Sequence, residues 1–194
     1  MPKRSVRDQW KAKLEGKGLN VSHKETRLGI QKRGFRGIIL GIDPSLRSTG
    51  IAIIETNSLQ RINFLYSDTI KNPTPLCTAD CLAAIARRIS EVIERFPVAH
   101  VAIEETIYVQ NFRIAQILGA ARGAAIAAAG LGGLPVYEYP PLRIKQAVVG
   151  FGRASKEQLA STVCSLLKQS HPLPTDEADA VGTALCHAFT FVDA

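Results

Sequence analysis

The chain has 194 residues, 46% of them hydrophobic, and a net charge of +7. That length suits one domain with a substantial core, and that composition excludes a largely disordered chain. Apolar runs stop short of the roughly 18 residues a membrane span needs, and no apolar block follows the basic start, as a secretory signal would require. Residues 1–36 hold 11 Lys and Arg against 3 Asp and Glu, so the positive charge belongs to an N-terminal arm. The remainder, 37–194, carries a balance of −1 and reads as the folded body. A basic arm is an electrostatic handle for polyanions, nucleic acid first. Within it, Val6–Gly16 has the pattern of a short helix.

The body opens with two buried strands, Ile38–Asp43 and Gly50–Glu55, joined by a short loop. Arg61–Ile70 reads as a third strand, and short links between the three predict an antiparallel meander. Helical spacing then takes over in Thr78–Phe96, with Thr78 as N-cap. Val98–Glu105 is a β-branched strand. A helix from Asn111 to Gly130 follows, crowded with alanine and glycine. Leu134–Tyr139 is the fifth strand. Ser155–Leu167 is a helix whose Ser155 and Gln158 fit a capping box, and Thr175–Val192 is a helix capped by Thr175. This order predicts an α/β fold with a five-stranded mixed sheet, three antiparallel strands and then two parallel, flanked by helices. That is the ribonuclease-H-like layout. Cys77, Cys81, Cys164 and Cys186 match no zinc spacing and read as reduced thiols of a cytoplasmic protein.

Four carboxylates ask for one explanation. Asp43 ends the first strand and Glu104 the fourth, and these strands are expected to lie side by side. Asp176 and Asp179, three apart on the last helix, face the same way. Taken singly, Asp176 and Glu177 are helix-dipole acids, and Asp43 is a loop aspartate. Together they would repel one another unless offset by hard cations with oxygen ligands, Mg²⁺ foremost. Two such ions about 4 Å apart are a standard device for cutting a phosphodiester. Pro44 holds Asp43 extended by disfavouring helical geometry before it.

The stretches LGIDPSLRSTG, VAIEETIYVQN, LGAARGAAIAAA, PVYEYPPLRIKQAVVGFGRASKEQ and DEADAVGTALCHA, in that order, resemble the RuvC family of bacterial Holliday junction resolvases from about Ile38 to His187. The resemblance implies a homodimer of ribonuclease-H-like subunits that nicks four-way DNA junctions symmetrically with Mg²⁺ or Mn²⁺. It also implies partnership with the RuvA–RuvB branch-migration machinery. Asp43, Glu104, Asp176 and Asp179 are then the catalytic metal ligands, with Lys145 and Lys156 close to the scissile DNA. Candidate DNA contacts are Arg47, Tyr108, Asn111, Arg113, Arg122, Lys145, Arg153 and Lys156.

The sequence departs from the family at four places. Ser45 stands where a glycine is usual, which points to an altered first loop. Ile107 stands where an aromatic is usual, with Tyr108 next to it. The basic arm is an extension, and the chain ends without a basic tail. Two other readings compete with an active endonuclease: a nucleic-acid-binding protein that has lost catalysis, and a small ATPase or sugar kinase of the actin-like fold. The second needs a D-x-G loop, which Asp43-Pro44-Ser45 lacks.

Overall fold

A computed structural model describes residues 35–57, 61–106 and 111–192. The helix expected over Val6–Gly16 lies outside them, as do Ile107 and Tyr108. Strands β1 (Gly37–Asp43), β2 (Ser48–Thr56) and β3 (Ile62–Lys71) pair as the expected antiparallel meander. Strand β4 (Val98–Glu104) runs parallel to β1, and β5 (Val136–Tyr139) parallel to β4. The sheet order is β3-β2-β1-β4-β5, the mixed arrangement of the ribonuclease-H-like fold. Five described helices connect and cover it: α1 (Thr78–Arg95), α2 (Phe112–Leu131), α3 (Pro141–Val149), α4 (Lys156–Leu167) and α5 (Thr175–Thr190).

Period-2 alternation sends successive side chains to opposite faces. Leu40, Ile42, Ile51, Ile53, Val101 and Ile103 meet α1 and α2 on one face. Ile39, Ala52, Ile54 and Ala102 meet α5 on the other, with α3 and α4 packed around α5. Two positions on the α5 face are glycine for a reason. A methyl at Gly41 would overlap the Ala180 carbonyl oxygen and come within 2.9 Å of Ala184 Cβ, and one at Gly50 would overlap the Asp176 carbonyl. Glycine at these two positions lets the backbone of α5 lie almost on β1 and β2.

The far end of α5 is pinned differently. His187 is wholly buried and bonds the Tyr139 hydroxyl through Nδ1 at 2.7 Å and His100 Nδ1 through Nε2 at 3.0 Å. Rings of Phe35, Tyr137 and Phe191 surround it. Burial and the neighbouring His100 push its pKa down to about 3, so it stays neutral. Phe35 is buried in this core and its carbonyl accepts from Thr56 Oγ1, so the folded body takes in residues before the expected start at 37.

Helix α3 is an element the periodicity reading passes over. Its N-cap is Pro140, with no side-chain cap bond, and Pro141 fills the first turn, where a missing N–H does no harm. Ile144 and Val148 bury its inner side, and Gly150 ends it in the left-handed region. Caps elsewhere shift by a residue or two. Cys77 rather than Thr78 caps α1, Pro174 rather than Thr175 precedes α5, and α2 runs on to a Gly132 cap rather than Gly130. The Ser155–Gln158 capping box on α4 is present as expected, and all four cysteines are free thiols. By length and composition α2 is apolar enough to cross a membrane, more so than its broken apolar runs suggest. Alanines raise its hydropathy without adding bulk, and in the fold Ala121, Ala125, Ala128 and Ala129 are buried on the α1 side.

Gly41→Ala should therefore be unusually harmful for a one-methyl change. Overpacking of this kind costs about 1–3 kcal/mol, or a fall in Tm of roughly 2–12 °C for a domain of this size. Calorimetry should show that loss, whereas a Tm within a degree of wild type would mean that α5 does not need this close approach.

Candidate functional site

The strand register assembles the site. Ile42 pairs with Ile103, so Asp43 and Glu104 leave the sheet side by side. Both follow the α5-facing parity of Gly41 and Ala102. Where Gly50 admits α5, the first turn of that helix reaches the same rim and brings Asp176 and Asp179. Asp43, Glu104 and Asp179 line one cleft of about 280 Å³, and Lys145 from α3 and Lys156 from α4 line its wall. Lys156 Nζ donates to Asp179 Oδ2 at 3.0 Å. The lysine side chain is 63% exposed, so solvent screening keeps this ion pair below about 1 kcal/mol.

The carboxylates oppose one another's charge. Burial, then Asp179, raises the Asp43 pKa to about 7. Burial, then Asp43 and Asp179, raises Glu104 to about 7. The ammonium of Lys156 moderates both. Asp176 does not line the cleft itself. It accepts a short hydrogen bond from the Ser48 hydroxyl while still adding to the negative field at Asp43. Next to it, Glu177 accepts from Ser67 and Thr69 of β3. Among the described residues no three His, Cys, Asp or Glu side chains form a closed cation cage. The donor set nonetheless fits hard divalent cations. It is all carboxylate oxygen, gathered at one rim, with negative charge that Lys156 and Lys145 only partly offset.

The first loop tolerates Ser45. Ser45 N–H donates to Thr49 Oγ1 at 3.2 Å, and the Thr49 hydroxyl donates back to the Ser45 carbonyl. Lys168 is the one described non-glycine residue with positive φ, so Ser45 needs no glycine backbone. Several expected DNA contacts have work within the fold. Arg47 Nη1 donates to the Pro73 and Leu76 carbonyls at 2.8 and 3.1 Å. Arg122 pairs with Glu138 of β5. Asn111 Oδ1 caps α2, accepting from the Arg113 and Ile114 amides. All three therefore serve the fold, and Arg47 and Asn111 are at the same time exposed at the surface. Arg113 and Arg153 are exposed, and Lys145 and Lys156 sit at the cleft. The Tyr108 expectation falls outside the described residues.

Sequence reading missed the hydroxyls that hold the acids. Ser48 shares the face parity of Gly50, and Thr69 and Ser67 pair with Gly50 and Ala52. All three therefore point at the first turn of α5. The signal was the alternation itself, continued one pair beyond the expected strand end.

Comparison with known proteins gives the family. The family model described as crossover junction endodeoxyribonuclease RuvC matches residues 39–187. The chain is 43% identical to the RuvC of Teredinibacter turnerae over 155 residues, covering 78% of this chain and 87% of the relative. It is 45% identical to that of Burkholderia thailandensis, over 77% of this chain and 82% of the relative. The structure of T. thermophilus RuvC in complex with a Holliday junction substrate superposes with a TM-score of 0.75 at 33% identity, covering 79% of this chain and 94% of that one.

The raised carboxylates have a testable sign. A carboxyl whose folded pKa exceeds its unfolded value favours the folded state below about pH 4, and that contribution is lost as pH rises through about 7. Without divalent cations, Tm of the wild type should therefore fall from pH 5 to pH 8 relative to Asp43→Asn. Addition of Mg²⁺ should raise Tm more at pH 8 than at pH 5, because the ligands must be deprotonated. Equal Mg²⁺ shifts at both pH values would contradict the assignment.

Proposed function

The chain belongs to the RuvC family of crossover junction endodeoxyribonucleases and is a metal-dependent endonuclease of four-way (Holliday) DNA junctions; on that premise we propose that it works as a homodimer making paired, symmetric nicks. The observation that carries the reading is the meeting of Asp43, Glu104 and Asp179 in one cleft with Lys145 and Lys156 on its wall. Asp43, Glu104, Asp176 and Asp179 would hold two Mg²⁺ or Mn²⁺ ions. When bound, these ions supply an activated water and stabilise the departing 3′ oxygen. Ser48 sets the direction of Asp176. Lys145 and Lys156 face the scissile phosphate and offset the charge that builds up on it. Arg113 and Arg153 lie on exposed surface and bind flanking phosphates.

The homodimer reading rests on α2. Its outer side carries exposed Phe112, Ile114 and Ile117, and Gly119 and Gly123 have open space where a side chain would be. A partner helix approaching there covers the apolar residues, and a C2 pair sets two clefts on equivalent strands of a two-fold junction. RuvA–RuvB is the partner machinery in this reading, and the cytoplasm is where it acts. The basic arm supplies non-specific phosphate attraction.

Two experiments check this. A synthetic four-way junction with Mg²⁺ or Mn²⁺ should be nicked at paired sites while a linear duplex is spared. Asp43→Asn should slow nicking by roughly 10²–10³-fold or more, the scale for losing one electrostatic group. Junction binding with no nicks under either metal would instead identify an inactive binder. Deleting residues 1–31, a cut that leaves Phe35 in place, should weaken junction affinity and flatten its dependence on salt. An unchanged salt slope would remove the arm from the account.

A further inference from the structure

The segment between the two cleft lysines contains a feature the catalytic reading does not use. Helix α3 ends at Gly150, with φ +97°, and α4 begins at Lys156. Between them the turn raises Phe151 to 49% exposure, beside Leu142 at 62%. This turn is well held. Gly150 N–H donates to the Gln146 carbonyl, Ala154 N–H donates to the Phe151 carbonyl, and Ala154 is buried. A methyl at Gly152 would come within 2.7 Å of Leu142 Cγ, so the turn is folded back onto the first turn of α3. That first turn contributes Pro141 to the wall of the cleft. Phe151 is thus displayed by a fixed turn beside the cutting site.

Its surroundings decide what it meets. From Pro141 to Lys156 the chain has four basic residues, Arg143, Lys145, Arg153 and Lys156, and no Asp or Glu. The body as a whole carries a balance of −1. An apolar ring set among cations is suited to a ligand with both π faces and phosphates, namely a nucleic acid with exposed bases. Intact duplex keeps its base faces covered, whereas a four-way junction interrupts stacking at its branch point.

We propose that Phe151 is a base-stacking residue that takes the face of an unstacked base at the junction centre and so positions the strand in the cleft. This rests on the junction-nuclease reading above. Phe151 touches the DNA but not the reacting phosphate, so it acts on positioning and choice of substrate.

The test uses the full chain. Phe151→Ala should melt like wild type, since the side chain is exposed, yet nick the junction about tenfold more slowly, in line with the loss of one base–aromatic stack. Phe151→Trp should retain nicking. In a protein also carrying Trp10→Phe and Asp43→Asn, its indole emission should be quenched by junction and not by duplex. Normal nicking by Phe151→Ala, or indole emission indifferent to the junction, would overturn the proposal. So would Phe151→Ala that binds DNA normally but sediments as a monomer, because the ring would then be a contact between two copies. If wild-type protein neither binds nor nicks the junction, the nuclease reading itself fails and this inference with it.

Discussion

Everything functional in this molecule depends on how closely one helix lies against one sheet. Helix α5 rests its backbone on Gly41 and Gly50, where no side chain intervenes. At its first turn that contact delivers Asp176 and Asp179 to the rim where β1 and β4 end. At its last turn His187 is locked between Tyr139, His100 and a set of aromatic rings. A helix held at both ends cannot slide, so the acids it carries keep their distance from Asp43 and Glu104. The hydroxyls of Ser48, Ser67 and Thr69 then fix how the first-turn carboxylates point.

The same closeness creates the electrostatic problem that defines the function. Burial at this rim, with the neighbouring acids adding to it, raises the pKa of Asp43 and Glu104 to about 7. Folding alone does not relieve this repulsion. Lys156 offsets part of it through Asp179, and divalent cations are the natural remainder. A site that is poor in its own positive charge is well suited to gather metal and, through it, the phosphates of DNA. Its lysines wait on the wall rather than at the centre.

Much of this was legible in the sequence. Apolar runs in IILGID and VAHVAIEE, ended by acids, foretold both the sheet and the place of Asp43 and Glu104 at its rim. The D-x-x-D spacing on the last helix led to the expectation that Asp176 and Asp179 face the same way, but only Asp179 lines the cleft, since Asp176 is engaged by the Ser48 hydroxyl. Helix α3 was missed because nine residues opening on Pro140-Pro141 give too few turns for periodicity to register, although Ile144, Val148 and Gly150 mark its inner side and its end. Arg47, Arg122 and Asn111 also have roles within the fold that were not foreseen, because their partners, the Pro73 carbonyl, Glu138 and the amides of α2, are set by tertiary packing or capping geometry. A basic residue near a motif shows no such partner in one dimension. The role of the small α5-facing residues was likewise invisible, since Gly41 and Gly50 acquire meaning only when a helix lies over them.

The central claim is that these four carboxylates form one metal centre. Crystals of the full chain soaked in Mn²⁺ and measured at the manganese absorption edge test it most directly. The account predicts anomalous peaks in the cleft, in contact with Asp43, Glu104 and Asp179, and Lys156 withdrawn from Asp179. Saturating Mn²⁺ with no peak at this rim, or a peak held by other residues, would contradict it.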